Sequence, residues 1–152
     1  MKLLLAAIAT LFAVPAAAQD VTLKSEVLVE RSVTGPDGRV TTTLEAPTTV
    51  VPGDRVVIAL DYRNAGAEPA KEFTVVNPLP AALAFNGAAS AGHDLSVDGG
   101  KSWGQLAQLT IGQADGTTRA ATPADVTHVR WILRTPIAPR AGGKLTIGGV
   151  VR

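Results

Sequence analysis

The chain has 152 residues and no cysteine, so disulfides, thiolate metal sites and a cysteine nucleophile are all excluded. Its 14 basic and 13 acidic residues nearly cancel. This balance argues against nucleic acid as a partner, because binding to phosphates needs an excess of basic side chains.

The N-terminal segment has the pattern of a secretory signal peptide. Lys2 supplies a positive charge, residues 3–14 form an apolar run, and residues 16–18 are small alanines that suit a signal peptidase. The run is shorter than the roughly 20 residues that a transmembrane helix needs. We therefore expect residues 1–18 to be removed on export, with no integral membrane segment in the remaining domain, residues 19–152.

The first segments after the signal predict β-strands. Val21–Val33 and Val40–Leu44 are rich in β-branched residues, and the turn residues of Gly35–Gly38 separate them. Threonines at positions 41–43 fit an edge strand, where β-branched side chains tolerate solvent. We expect these two strands to pair.

Arg55–Arg63 is the clearest predicted strand. Its apolar side chains alternate with polar ones, which predicts that they share the core face: Val56, Ile58, Leu60 and Tyr62. Lys71–Val76 follows with Phe73 and Val75 inward, and it must end near Pro78 because proline cannot donate to the ladder.

Three further strands complete the predicted fold. Leu83 and Phe85 indicate a short strand, and Thr127–Leu133 directs Trp131 inward, together with Val129 and Leu133, and His128 outward. Lys144–Val151 directs Leu145 and Ile147 inward and carries Gly148-Gly149, which predicts a bulge or a close backbone approach. Together the segments predict an all-β, antiparallel sandwich of roughly seven to nine short strands.

The stretch from Val51 to Pro80 resembles the bacterial repeat family known as domain of unknown function 11. The resemblance rests on the turn Val51-Pro52-Gly53-Asp54, a strand reaching Tyr62 and Asn64-Ala65-Gly66, and the exit Asn77-Pro78-Leu79-Pro80. Asn77 replaces the usual aspartate of the family. The resemblance implies an Ig-like β-sandwich of cell-surface proteins, with no catalytic residues to transfer.

A second motif, Ser96-Val97-Asp98-Gly99-Gly100-Lys101-Ser102-Trp103, is similar to the Asp-box hairpin of sialidase-like propellers. Asp98 is expected to accept bonds from nearby backbone N–H groups. Trp103 is expected opposite Leu95 on the core face. One copy cannot build a propeller, which has typically 4–8 blades, so the motif predicts a structural hairpin rather than a sialidase.

The chain offers little for catalysis or for metal binding. Its two histidines, His93 in a predicted loop and His128 on a strand, have no ligand-like spacing, and no Gly-x-Ser-x-Gly motif is present. We expect no catalytic residues, no metal and no cofactor. Two alternatives stay open: the histidines joined by Asp94 or Asp125, and calcium at the turn residues Asp94, Asp98 and Asp115.

Two classes of function fit these features. The first is a noncatalytic, Ig-like structural or protein-interaction module of the bacterial cell envelope, periplasmic or extracellular, that contacts envelope or surface proteins through a sheet edge at Val40–Leu44 or Lys144–Val151. The alternative is a carbohydrate- or matrix-binding module. The first is favoured, because sugar platforms need exposed aromatic rings and both Trp103 and Trp131 are expected in the core. The oligomeric state is not predicted.

Overall fold

A computed structural model describes residues 20–152, and the predicted signal peptide lies outside them. The described chain is built almost entirely of antiparallel strands, with two short 3-10 helices at Leu106–Gln108 and Pro123–Asp125. The strands are β1 (Val21–Thr34), β2 (Val40–Glu45), β3 (Arg55–Asn64), β4 (Phe73–Pro78), β5 (Leu83–Ala89), β6 (His93–Ser96), β7 (Thr110–Gly112), β8 (Thr118–Ala120), β9 (His128–Leu133) and β10 (Gly142–Val151). The all-β prediction is confirmed, and the count of ten within residues 20–152 slightly exceeds the expected range because β6, β7 and β8 were not among the seven strands named from the sequence.

The strands form a sandwich around one hydrophobic core. A five-stranded sheet has the order β2-β1-β3-β10-β5, a three-stranded sheet has the order β4-β9-β6, and β7 and β8 form a separate hairpin. Apolar side chains of both larger sheets meet in the core: Val29, Val56, Ile58, Leu60, Phe85, Leu145 and Ile147 from the first, and Val75, Leu95, Val129 and Trp131 from the second. No helix within residues 20–152 has the length and apolar character to cross a membrane.

The inward and outward faces of the strands are largely as the alternation predicts. In β3, Val56, Ile58 and Leu60 are buried while Arg63 is exposed. In β9, Trp131 is buried and Ile132 on the opposite face is exposed. Burial of every second side chain follows from the pleat, which directs successive side chains to opposite faces of the sheet.

The position of β10 corrects one expectation. Lys144–Val151 was predicted as a free edge, but β10 pairs with β3 on one side and with β5 on the other. The predicted irregularity is confirmed, because the pairing with β5 shifts between Ile147 and Gly149. A Cβ atom at Gly149 would lie 3.4 Å from the carbonyl oxygen of Ala84, which is ordinary van der Waals contact, so a bulge is present but no unusually close backbone approach at Gly149.

The edge predicted at Val40–Leu44 is confirmed. β2 pairs only with β1, and it forms one margin of the five-stranded sheet. Val29 is the last residue of β1 that pairs with β3, so the following part of β1 pairs with β2 alone. We call residues 30–45, which form this two-stranded extension and its turn, the β1–β2 arm.

Candidate functional site

The free edge of β2 is the strongest candidate site. The arm turns at Gly38, whose φ of 76° is readily adopted only by glycine. The Gly35 N–H donates to the Arg39 carbonyl at 2.8 Å, which makes these residues a hydrogen-bonded pair. Because such pairs alternate along an antiparallel ladder, the backbone groups of Thr41 and Thr43 point toward β1.

The same alternation leaves the other backbone groups of β2 without a partner in the described chain. The N–H and C=O groups of Val40, Thr42 and Leu44 point away from β1, toward the side where the described chain has no further strand. All six residues of β2 are exposed. The edge therefore presents three donor–acceptor pairs to an incoming strand.

Large apolar side chains are exposed along the arm. The exposed fractions are 56% for Val33, 65% for Val40 and 50% for Leu44. Val40 and Leu44 lie on one face of the arm and Val33 on the other, because Val33 pairs with Thr41. The exposed pair on one face of an edge strand can contribute to an interaction surface. Charged residues flank them, with Arg39 before β2 and Glu45 at its end.

Polar contacts hold the base of the arm against the sandwich. The Arg55 Nε lies 2.7 Å from a carboxylate oxygen of Glu30. One Arg31 nitrogen lies 3.4 Å from Asp54, and another donates to the Thr49 carbonyl at 3.1 Å. These contacts fix the orientation of the arm relative to the rest of the five-stranded sheet.

The Asp-box-like turn is a self-contained structural hairpin. The Asp98 carboxylate accepts hydrogen bonds from the hydroxyls of Ser102 at 2.6 Å and Ser96 at 2.7 Å, and from the N–H groups of Lys101 and Ser102 at 3.0 Å. These bonds, those from Ser102 foremost, hold the pKa of the Asp98 carboxyl well below its usual range. The predicted role of Asp98 is confirmed.

Acid should weaken this hairpin. Because the folded state lowers the pKa of Asp98, its contribution to stability is complete above the unfolded pKa of about 3.9 and is lost as the pH falls toward the folded value. We expect the free energy of unfolding of the Asp98→Asn variant to depend less on pH below about 4 than that of the wild type. Urea titrations at a series of pH values measure this difference. If the free energy of unfolding falls equally with pH in Asp98→Asn and in the wild type, the stabilising role of the ionised Asp98 carboxylate is contradicted.

The placement of Trp103 corrects a second expectation. Leu95 forms a bridge with Gly104 rather than with Trp103, so the indole lies on the outer face of the three-stranded sheet. There it is partly buried: the Arg130 guanidinium carbon lies 4.4 Å from the ring centroid, and the His128 ring meets it edge-on at 6.3 Å. Trp131, by contrast, is 2% exposed and lies in the core as predicted.

The two histidines lie on opposite faces of that sheet. His93 begins β6 rather than lying in a loop, and its ring is near that of Trp131 on the core side. His128 meets Trp103 on the outer side, as its alternation predicts. Among residues 20–152 no group of three or more His, Asp and Glu side chains is placed to hold a metal ion.

The aspartates considered as calcium ligands form hydrogen bonds and ion pairs with other residues of the chain. Asp94 lies 2.8 Å from an Arg130 nitrogen, and the Asp115 carboxylate accepts the Thr117 hydroxyl at 2.6 Å. Asp125, considered with the histidines, accepts two bonds from Arg119 at 2.6 and 2.7 Å. Those bonds, with others from Thr122, hold the pKa of Asp125 well below its usual range.

An open groove of about 560 Å³ lies beside Tyr62, next to the loop from Arg134 to Ala138. Its lining is mostly apolar: Ile132, Leu133, Pro136, Ile137, Ala138 and Ala141, with the polar side chains of Tyr62, Arg134 and Thr135. This lining contains no carboxylate or histidine to act as a base beside a nucleophile. The groove is a weaker candidate site than the edge of β2.

No protein-family model, curated protein or solved structure matches the chain significantly. The resemblance to the domain of unknown function 11 family stays a prediction. The function must therefore be argued from the geometry of the described residues, in which the exposed edge of β2 is the most distinctive surface.

Proposed function

We propose that the protein is a noncatalytic, exported structural or protein-interaction module of the bacterial cell envelope, and that it binds an envelope or surface protein through the free edge of β2. The observation that carries the proposal is the row of outward backbone groups at Val40, Thr42 and Leu44. An extended segment of a partner can add to such an edge through main-chain hydrogen bonds.

The composition of β2 supports a role for its free edge in pairing with a strand of a partner. Proteins usually protect their edges with proline, lysine, bulges or very short strands. Val40–Glu45 has neither proline nor lysine, and it pairs with β1 in unbroken register over all six residues. An edge of this composition invites strand addition.

Export and location in the envelope are supported by sequence patterns. The charged start and apolar run of residues 1–18 are typical of a secretory signal. The resemblance of residues 51–80 to the domain of unknown function 11 family predicts, in addition, a bacterial surface module. Both patterns fit a periplasmic or extracellular protein.

Carbohydrate binding is the second candidate function, because of the position of Trp103. Trp103 lies on an outer sheet face and is only partly buried. Sugar stacking needs a free aromatic face, however, and the Arg130 guanidinium already covers one face of the indole. The protein-interaction proposal is favoured for this reason.

A proline at position 42 tests the proposal. The Thr42 amide points away from β1, so Thr42→Pro removes an edge donor without breaking an internal bond. We expect the free energy of unfolding to stay within about 1 kcal/mol of the wild-type value and the recovery of bound envelope proteins to fall about tenfold. Urea denaturation and quantitative mass spectrometry of captured proteins measure the two effects.

Thr43→Pro is the matched control, because the Thr43 amide points toward β1. It should cost about 1–3 kcal/mol of stability through the lost ladder bond. If Thr42→Pro folds like the wild type and recovers the same proteins in the same amounts, binding does not use this edge and the proposal is wrong.

A further inference from the structure

We infer that the segment paired with this edge is β2 of a second copy of the chain, in an antiparallel arrangement about a two-fold axis at Thr42. The inference rests on the proposed function, since it uses the same edge. It adds the identity of the partner and the register of the pairing. A two-fold axis makes the interface isologous, so each residue contact occurs twice.

The outward backbone groups select the register. Hydrogen-bonded pairs across the new ladder must join residues whose amides point outward in both copies. With the axis at Thr42, Val40 faces Leu44 of the second copy, Thr42 faces its own equivalent, and Leu44 faces Val40. This register uses all three outward positions of each strand. Moving the axis to Thr41 or Thr43 leaves one of them unused.

The side chains are complementary in the same register. Val40 and Leu44, which are 65% and 50% exposed in the single copy, become direct neighbours across the interface. Arg39 of each copy then faces Glu45 of the other, so opposite charges meet at both ends of the paired strands. With the axis at Thr41, Arg39 would face Thr43 and Glu45 would face Asp37, which carries the same charge. With the axis at Thr43, Glu45 would face Thr41 and Arg39 would face Pro47, so neither register pairs opposite charges.

The expected dimer is weak and depends on protein concentration. A six-residue edge buries far less than the roughly 1,200 Å² of a stable interface. The arm extends past the end of β3, so the second copy would pair beyond the part of the sheet that β3 covers. Pairing would join the two five-stranded sheets into one continuous sheet.

Cysteine cross-linking tests the register, because the chain has no cysteine of its own. In the proposed dimer Thr41 faces Thr43 of the other copy as a non-hydrogen-bonded pair, with Cα atoms about 4.5 Å apart, a separation that a disulfide can bridge. Neither residue faces its own equivalent. An equimolar mixture of Thr41→Cys and Thr43→Cys should therefore form disulfide-linked dimers at least about tenfold faster than either variant alone.

Thr118→Cys, on the exposed β8, measures the rate of random collision. Circular dichroism of each variant checks that it is folded. If the mixture cross-links no faster than the single variants or the collision control, the inference is overturned.

A charge exchange gives an independent test. Arg39→Glu and Glu45→Arg each place like charges together at both ends of the interface, and we expect each to weaken self-association by about 3- to 10-fold. The double variant, with both Arg39→Glu and Glu45→Arg, should restore self-association. Sedimentation velocity over a range of concentrations measures these changes, and single variants that associate like the wild type would overturn the inference.

The two proposals fail in different ways. A protein that stays monomeric at all concentrations, yet loses capture of another protein through Thr42→Pro, overturns self-pairing and supports the proposed function. A protein that shows neither self-association nor an effect of Thr42→Pro on capture overturns both.

Discussion

Replacing Trp131 with alanine is expected to lower the free energy of unfolding by about 3–5 kcal/mol. The indole is 2% exposed and packs in the core between the two sheets. Its Nε1–H donates to the Ser90 carbonyl at 3.0 Å, so the substitution also removes a bond to the loop between β5 and β6. Urea denaturation with a two-state fit measures the change.

His128→Ala is the control for this prediction, because His128 lies on the outer face of the same strand. It should cost much less, since it removes only a partly exposed ring. Equal and small losses for Trp131→Ala and His128→Ala would contradict the assignment of the two faces of β9.

The second large effect is expected at Asn64, which is 1% exposed at the end of β3. Its side-chain amide donates to the carbonyls of Glu68 and Ile137, both at 2.8 Å, and its oxygen accepts from the Gly66 N–H at 2.9 Å. Asn64→Ala removes all three bonds, although the Ile137 carbonyl keeps the bond that it accepts from the Ala70 N–H at 2.9 Å. Each lost hydrogen bond costs about 0.5–1.5 kcal/mol, so we expect a total loss of about 2–4 kcal/mol.

Asn86→Ala is the matched control for Asn64→Ala. The Asn86 side chain accepts one exposed bond, from the Ala88 N–H at 2.9 Å. Its removal should therefore cost less than about 1 kcal/mol. Thermal and urea unfolding of both variants give the comparison, and similar losses at Asn64 and Asn86 would contradict a clamping role for Asn64.

Local patterns predicted the strands well because alternation is set by neighbouring residues. The buried face of β3 and the position of Trp131 in β9 followed from the period of two alone. The edge at β2 was also predicted, since a run of threonines tolerates solvent on both faces.

The errors concern features that depend on distant residues or on the register of a turn. The order of strands places β10 between β3 and β5, and no local pattern encodes that order. The predicted face of Trp103 was wrong because the hairpin pairs Leu95 with Gly104 instead of with Trp103. A shift of one residue in the register moves a side chain to the opposite face of the sheet. The bonds of the buried Asn64 side chain were not predicted, because its partner Ile137 is far away in sequence.

The central place of β10 has a consequence for how the chain matures. β3 and β5 have no strand between them until residues 142–151 emerge from the ribosome. Pairings between such distant segments form late, because the long intervening loop must close first. The five-stranded sheet is thus incomplete until these residues are available, and the edges of β3 and β5 that β10 joins stay unpaired for longer than those of strands that pair with their immediate neighbours. An export channel that accepts only extended polypeptide would gain time from this delay.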